Sequence, residues 1–206
     1  MTMFNKDLIL QLLENRDGRA LLTFWRGRNA VDIAALLVSV ADDARQAAVF
    51  RTLPKDLAAD VFSYLPGSTQ ARLARSFADG ELQQLFDALH LDDAADFLEE
   101  LPATLVTRIL QAATPQRRMA VNALLSYPDG SAGSVMTPEF VSLRPADTVR
   151  QALDTIRRTG IHKETIYTCY VLDCRALLGV VSAKDLLTAA EDTPVKDLMA
   201  TDVVSV

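Results

Sequence analysis

A chain of 206 residues with 21 Lys plus Arg against 27 Asp plus Glu, half of it hydrophobic, has room for one large or two small cores. Its formal net charge of -6 argues against nucleic acid as a partner, because phosphate-backbone binding needs a basic face that releases counterions. No stretch approaches the roughly 18 apolar residues that cross a bilayer, and the N-terminus, with acids at Asp7 and Glu14, does not read as a secretory signal; a cytoplasmic location is expected. The two cysteines, Cys169 and Cys174, supply neither a disulfide framework nor a four-Cys zinc site, and both are expected to be reduced and partly buried.

Residues 1 to 128 show little strand-like alternation and carry a repeat of 12 residues. One column reads Leu53, Leu65, Phe77, Leu89, Leu101, Ala113 and Leu125, and four residues earlier stand Val49, Val61, Leu73, Leu85, Phe97, Ile109 and Val121. Both columns are apolar. One residue further back the positions are mostly polar, among them Asp60, Arg72, Gln84, Asp96 and Arg108. Spacing of i and i+4 puts two side chains on one helical face, but 12 is not a whole number of 3.6-residue turns, so one long helix would smear the stripe around its circumference. Each unit is therefore expected to be a short helix plus a tight turn, with Pro54, Pro66, Pro102 and Pro115 at helix starts, where the missing N–H costs nothing. Two units make a helix pair of about 24 residues, the grain of a helical solenoid.

From Tyr127 to Ser134 the residues are those of a connector, rich in Gly and Ser. Beyond it, a strand over Phe140 to Leu143 is expected, then a helix capped by Thr148 with Val149, Ala152, Leu153 and Ile156 on one face. Strands over Glu164 to Leu172 and Leu177 to Val181 and a helix over Lys184 to Ala190 complete an order βαββα. The segment Ser134 to Leu143 is echoed 63 residues later by Asp197 to Val206, so a second copy of the module is expected to open there and the chain to be part of a longer one.

This module, opening Val135-Met136-Thr137-Pro138 and closing Gly179-Val180-Val181-Ser182-Ala183-Lys184-Asp185-Leu186-Leu187, resembles a CBS domain, a type that occurs in pairs. Together with the helical repeat and the run Leu124-Leu125-Ser126-Tyr127-Pro128 into Met136-Thr137-Pro138-Glu139, the whole chain is similar to the cytosolic N-terminal part of MgtE-type magnesium channels. The resemblance implies a mainly α superhelical domain over 1–128, a small α/β CBS domain over 129–192 and the start of a second CBS domain over 193–206, α+β overall. It also implies a homodimer and a membrane pore domain elsewhere in the full-length chain.

Between Arg75 and Arg108 stand eight acids, Asp79, Glu81, Asp87, Asp92, Asp93, Asp96, Glu99 and Glu100, and no Lys or Arg. Two carboxylates about 7 Å apart repel by roughly 2 kcal/mol at an effective dielectric near 20, and a divalent cation reverses the sign of that term. Oxygen donors without His or Cys favour magnesium or calcium over zinc; a solvated acidic helix face is the plainer alternative. The resemblance places magnesium-binding carboxylates at Asp60, Asp92 and Asp96, with Asp197 as a CBS-side candidate, and it raises Ser182 and Asp185 as contacts for an adenine nucleotide. Ser182 equally suits a helix N-cap. The Gly130 to Ser134 stretch lacks the Lys-Ser/Thr of a P-loop, Phe24 and Trp25 beside Arg26 and Arg28 suit a cap on the first helix pair, and no catalytic constellation is apparent, so no enzyme is expected.

The leading expectation is a magnesium-sensing regulatory region that closes when ions bridge its two acidic halves and so controls gating. The alternatives are a protein-interaction scaffold, since the helical repeat also resembles the superhelical domains of flagellar motor switch proteins, and an adenine-nucleotide sensor.

Overall fold

A computed structural model describes residues 6–128 and 130–204, apart from the side chains of Asp56 and His162. The chain divides into two compact units, Met1–Tyr127 and Pro128–Val206.

The first unit is helical: α1 (Lys6–Glu14), α2 (Gly18–Trp25), α3 (Ala30–Val38), α4 (Asp43–Phe50), α5 (Lys55–Ser63), α6 (Gly67–Ser76), α7 (Asp79–Ala88), α8 (Leu91–Glu99), α9 (Ala103–Ala112) and α10 (Pro115–Leu124). From α4 to α10 every helix begins 12 residues after the last. Side chains of Asp17, Asn29, Asp42 and Thr114 accept backbone N–H groups at their helix starts, whereas α5, α6 and α9 begin behind Pro54, Pro66 and Pro102, whose fixed φ sets the entry. Alternate helices pack on one another, α3 on α5, α5 on α7 and α7 on α9 in one row, α4 on α6 and α8 on α10 in the other. The two apolar columns supply the seam between rows: each member from Val49 to Val121 is buried, and so is each from Leu53 to Ala113. Phe62 stands edge-on to Phe50 (6.0 Å) and to Phe97 (4.9 Å), joining three helices through one ring.

Arginines tie the turns together. Arg51 donates to Glu81 (2.7 Å) and to the Ser76 carbonyl (2.9 Å), and Arg108 donates to Asp79 (2.5 Å) and to the Phe77 carbonyl (2.8 Å). Arg117 donates to the carbonyls of Phe86 (3.0 Å), Leu89 and His90. The His90 carbonyl also accepts from Ala94 N–H as the first acceptor of α8; the others lie at helix C-terminal ends, where carbonyls lack intrahelical partners and the helix dipole favours a cation.

The second unit is an α/β module of β1 (Val141–Leu143), α11 (Val149–Thr159), β2 (Thr168–Asp173), β3 (Ala176–Ser182) and α12 (Ala183–Thr188). The order is βαββα, with β1 parallel to β2 through the α11 crossover and β3 antiparallel to β2 in a three-stranded sheet. Thr148 and Gln151 form a reciprocal cap on α11. Val141, Leu143, Val149, Ala152, Cys169, Val171, Val181 and Leu186 form its core, and the segment after α12 returns to it: Val195 is fully buried, and Leu198 and Met199 pack against the same cluster.

Two local expectations are corrected. β2 begins at Thr168 and not at Glu164, because the backbone of 164–167 bonds elsewhere: Glu164 N–H donates to the Glu139 carbonyl (3.1 Å) and the Tyr167 carbonyl accepts from Ala183 (2.8 Å). Cys169 is buried, its thiol pushed up to about 11 by burial, but Cys174 is exposed at φ +53 in the β2–β3 turn, where a side chain projects into solvent. Residues 201–204 are not a strand, since an extended segment becomes one only when a neighbour pairs with it, and the pairing ends at Ala200 with Val180; Ser205 and Val206 lie outside the described residues. Among the described residues no helix is long and apolar enough to cross a membrane.

Candidate functional site

α8 buries Ala94, Ala95, Phe97 and Leu98, leaves Asp96 and Glu99 exposed and keeps Asp92 and Asp93 half-buried. Asp92 and Asp93 lie in its first turn, where the helix dipole favours carboxylates. Asp92, Asp96 and Glu100 follow at i, i+4 and i+8, so they form one ridge. The structure sorts the acidic run into two kinds. Asp79 and Glu81 are ion-paired with Arg108 and Arg51, and these acids staple the solenoid. Asp92, Asp96 and Glu100 have no cationic partner among the described residues.

The electrostatics of that ridge are unfavourable as it stands. Burial, then the neighbouring charges of Asp92 and Glu100, hold the Asp96 carboxyl above its ordinary value. Asp92 Oδ1 is buried with no hydrogen-bond partner among the described residues. The Glu100 carboxylate lies over Gly67 at the start of α6, so close that a methyl group on Gly67 would come within 1.4 Å of Oε2. Asp93, Asp96 and Glu100 line a cleft of about 180 Å³ together with Ser63, Gln70 and Phe97. An unsatisfied carboxylate oxygen beside an acid that resists ionisation is a donor set that suits a hard divalent cation. Magnesium keeps several of its waters and needs only one or two such carboxylates. Among the described residues no three His, Cys, Asp or Glu side chains converge into a full ligand shell.

The remaining candidates are dispersed. Asp60 is exposed on α5, its carbonyl accepting from the Ser63 hydroxyl (3.0 Å). Asp197 is exposed in a 3-10 turn, Val195–Asp197, of the second unit. Of the four expected metal carboxylates, the fold brings Asp92 and Asp96 together on one ridge and leaves Asp60 on another helix. Ser182 is the N-cap of α12: its hydroxyl accepts from Asp185 N–H (3.1 Å) and donates to Asp185 Oδ2 (2.6 Å). Phe24 and Trp25 are buried edge to face, and Trp25 Nε1 donates to Thr52 (3.0 Å). The spacing pairs Glu100 with Asp96 at i,i+4, but neither Glu100 nor Asp93 stands out as a site residue in the sequence. What distinguishes them is the cleft wall from Ser63, Gly67 and Gln70, which no spacing in the chain announces.

A model of the MgtE intracellular N domain matches residues 28–130, half of the chain, and a model of the CBS domain matches residues 132–192. The chain belongs to the MgtE family. A magnesium transporter MgtE of Thermus thermophilus is 35% identical over 201 residues, which is 95% of this chain and 44% of that protein. One of Bacillus subtilis is 32% identical over 140 residues, 68% of this chain and 29% of that protein. The chain thus spans less than half the length of these MgtE relatives. Among solved structures, the cytosolic domain of the Mg2+ channel MgtE in complex with ATP superposes with a TM-score of 0.88 at 33% identity, covering 98% of this chain and 83% of that one. The soluble part of a magnesium transporter gives 0.90 at 25% identity, covering 97% and 79%. The MgtE cytosolic fold, a helical domain followed by a small CBS sheet, is therefore that of this chain.

Proposed function

We propose that this chain is the cytosolic magnesium-sensing region of an MgtE-type magnesium channel, with no catalytic role, attached in its full-length form to a membrane pore domain. The observation that carries the reading is the ridge of Asp92, Asp96 and Glu100, which lacks cationic partners among the described residues, with Asp92 Oδ1 buried and unpartnered there and the Asp96 carboxyl held above its ordinary value by burial and its neighbours. Asp92 and Asp96 would hold hydrated magnesium, with Asp60 and the CBS-side Asp197 contributing further carboxylates when the two units close. The ion supplies positive charge between acidic groups. It shifts a pre-existing equilibrium by binding the compact arrangement better than the open one. Segment 193–206 would open a second CBS module, through which closure reaches the pore.

Magnesium titration followed by small-angle scattering and protease protection tests this. Compaction as magnesium rises is expected for the native chain, and the double substitution Asp92→Asn with Asp96→Asn should weaken that response by about tenfold or more, since both repulsion and ligation are removed. An unchanged response in the double variant rules out this ridge. No response in the native chain favours a protein-interaction scaffold.

A second reading has support in the ATP complex of a solved relative. Ser182 and Asp185 sit at the start of α12, where an adenosine ribose could exchange with their mutual hydrogen bond. This nucleotide role is compatible with magnesium sensing.

A further inference from the structure

Among α4 to α10, α6 alone begins with a glycine, Gly67. Its φ lies outside the left-handed region, so the backbone there accepts any L residue, and what the missing Cβ provides is room. The Glu100 carboxylate fills that room, standing where a methyl group on Gly67 would be. Elsewhere the repeat uses this place for a staple: Asp43, first residue of α4, pairs with Arg72 (3.0 Å), and Asp79, first residue of α7, pairs with Arg108 (2.5 Å), each 29 residues on. The same step from Gly67 leads to Asp96. Both halves of the staple are thus replaced, the acid by a glycine and the arginine by an acid, and a second acid occupies the gap. α6 is ten residues long and Pro66 gives it no side-chain cap, so the positive end of its dipole lies beside the Glu100 carboxylate. From that seat Glu100 lines the cleft of about 180 Å³ with Asp96 and Gln70, and Gln70 is a fixed wall, 8% exposed and donating through Nε2 to the Phe62 carbonyl (2.8 Å).

We propose that Glu100 is a further carboxylate of the cation site and that Gly67 is the residue that positions it, an inference that rests on the magnesium reading above. A side chain at Gly67 would push the Glu100 carboxylate off the cleft wall. With none, the carboxylate stays on the wall that Asp96 shares, where it adds negative charge and an acceptor for the waters that magnesium retains. Glycine is a poor choice for starting a helix and nothing more, since it loses more freedom on folding than any other residue, and Asp, at the same place in α4 and α7, suits the helix dipole. A carboxylate that only capped α6 would affect stability and leave ion binding unchanged.

Amide spectra of the full chain test the seat without metal. Glu100→Gln should move the Gly67 amide and leave that of Gly18, whose surroundings are open; a Gly67 amide that ignores the substitution overturns the seat. Magnesium titration, read at the Asp96 amide, tests its role. Gly67→Ala and Glu100→Gln should each weaken binding by about threefold, the scale of one partly screened charge. The double variant should bind no more weakly than Glu100→Gln, because both changes remove the same carboxylate from the cleft. The thermal midpoint of metal-free Gly67→Ala should equal or exceed the native value, since the methyl group displaces only the end of a flexible side chain; a fall overturns the positioning role. Native affinity in either single variant, or losses that multiply in the double, overturns the proposal and leaves the magnesium reading standing. A native chain whose Asp96 amide ignores magnesium while its Gly67 amide still answers to Glu100→Gln overturns the magnesium reading, and with it the role given to Glu100, leaving a helix cap.

Discussion

Asp96 carries a charge that the folded chain disfavours. Burial and the charges of Asp92 and Glu100 hold its carboxyl above the ordinary value in the folded state, so folded protein binds a proton more readily than unfolded protein. Stability from this group is therefore present below the ordinary carboxylate pKa and falls as pH rises through the raised folded value. Without magnesium, Asp96→Asn is expected to stabilise the chain at neutral pH, by no more than about 1 kcal/mol because Asp96 is exposed and screened. The gain should vanish at a pH where Asp96 is protonated in both states. Urea midpoints of both proteins at the two pH values check this, and a gain that persists in acid would trace to something other than the charge.

At the scale of elements, the segment that follows α12 is the part of the second unit whose placement depends most on a single side chain being absent. Val180 and Ala200 exchange both backbone hydrogen bonds (2.9 and 2.8 Å), and Val149 and Arg150 donate to the carbonyls of Thr193 and Glu191. A methyl group on Gly179 would stand 2.4 Å from the Ala200 carbonyl oxygen, which is backbone and cannot rotate away. Gly179→Ala should therefore detach residues 199–200 and cost roughly 1–3 kcal/mol, the scale of lost backbone bonds and strained contacts. Amide exchange should show Ala200 losing protection while Val171, in the centre of the sheet, keeps it. Unchanged protection at Ala200 would mean that the backbone shifts to admit the methyl group. The arginine staples of the first unit are a contrasting device: their ion pairs are partly exposed and screened, so their main contribution is to satisfy helix-end carbonyls.

At the scale of the whole molecule, association depends on the apolar surface the second unit exposes. A bare β2 face would favour pairing, but Val195, Leu198 and Met199 pack on the cluster that includes Cys169 and Val171, so that face is covered from within. Among the large apolar side chains that stay exposed are Ile161 (83%), Tyr167 (79%) and Leu187 (71%). Removing apolar area from water is worth about 25 cal/mol per Å², so exposed apolar side chains of this kind favour a two-fold pair of second units. Sedimentation at micromolar concentration should give twice the monomer mass, and Tyr167→Glu with Leu187→Glu should return it to monomer. A native chain that stays monomeric would exclude pairing through this surface.

The 12-residue step, the apolar columns and the βαββα order were determined by the sequence alone, because burial leaves a periodic mark wherever a repeated element turns the same face to a core. Helix starts at Pro54, Pro66, Pro102 and Thr114 were visible for the same local reason. The Gly179 contact, the late start of β2 and the cover over its face came only with the tertiary structure, since each depends on backbone partners 16 or more residues away. The same holds for the acidic run. Its composition was plain, but which acids are neutralised depended on Arg51, 30 residues from Glu81, and on Arg108, 29 residues from Asp79. Charge belongs to the residue, whereas its compensation belongs to the fold. Asp92 and Asp96 were candidates from the resemblance alone, but that Glu100 joins their ridge and that none of the three meets a cation among the described residues came only with the fold.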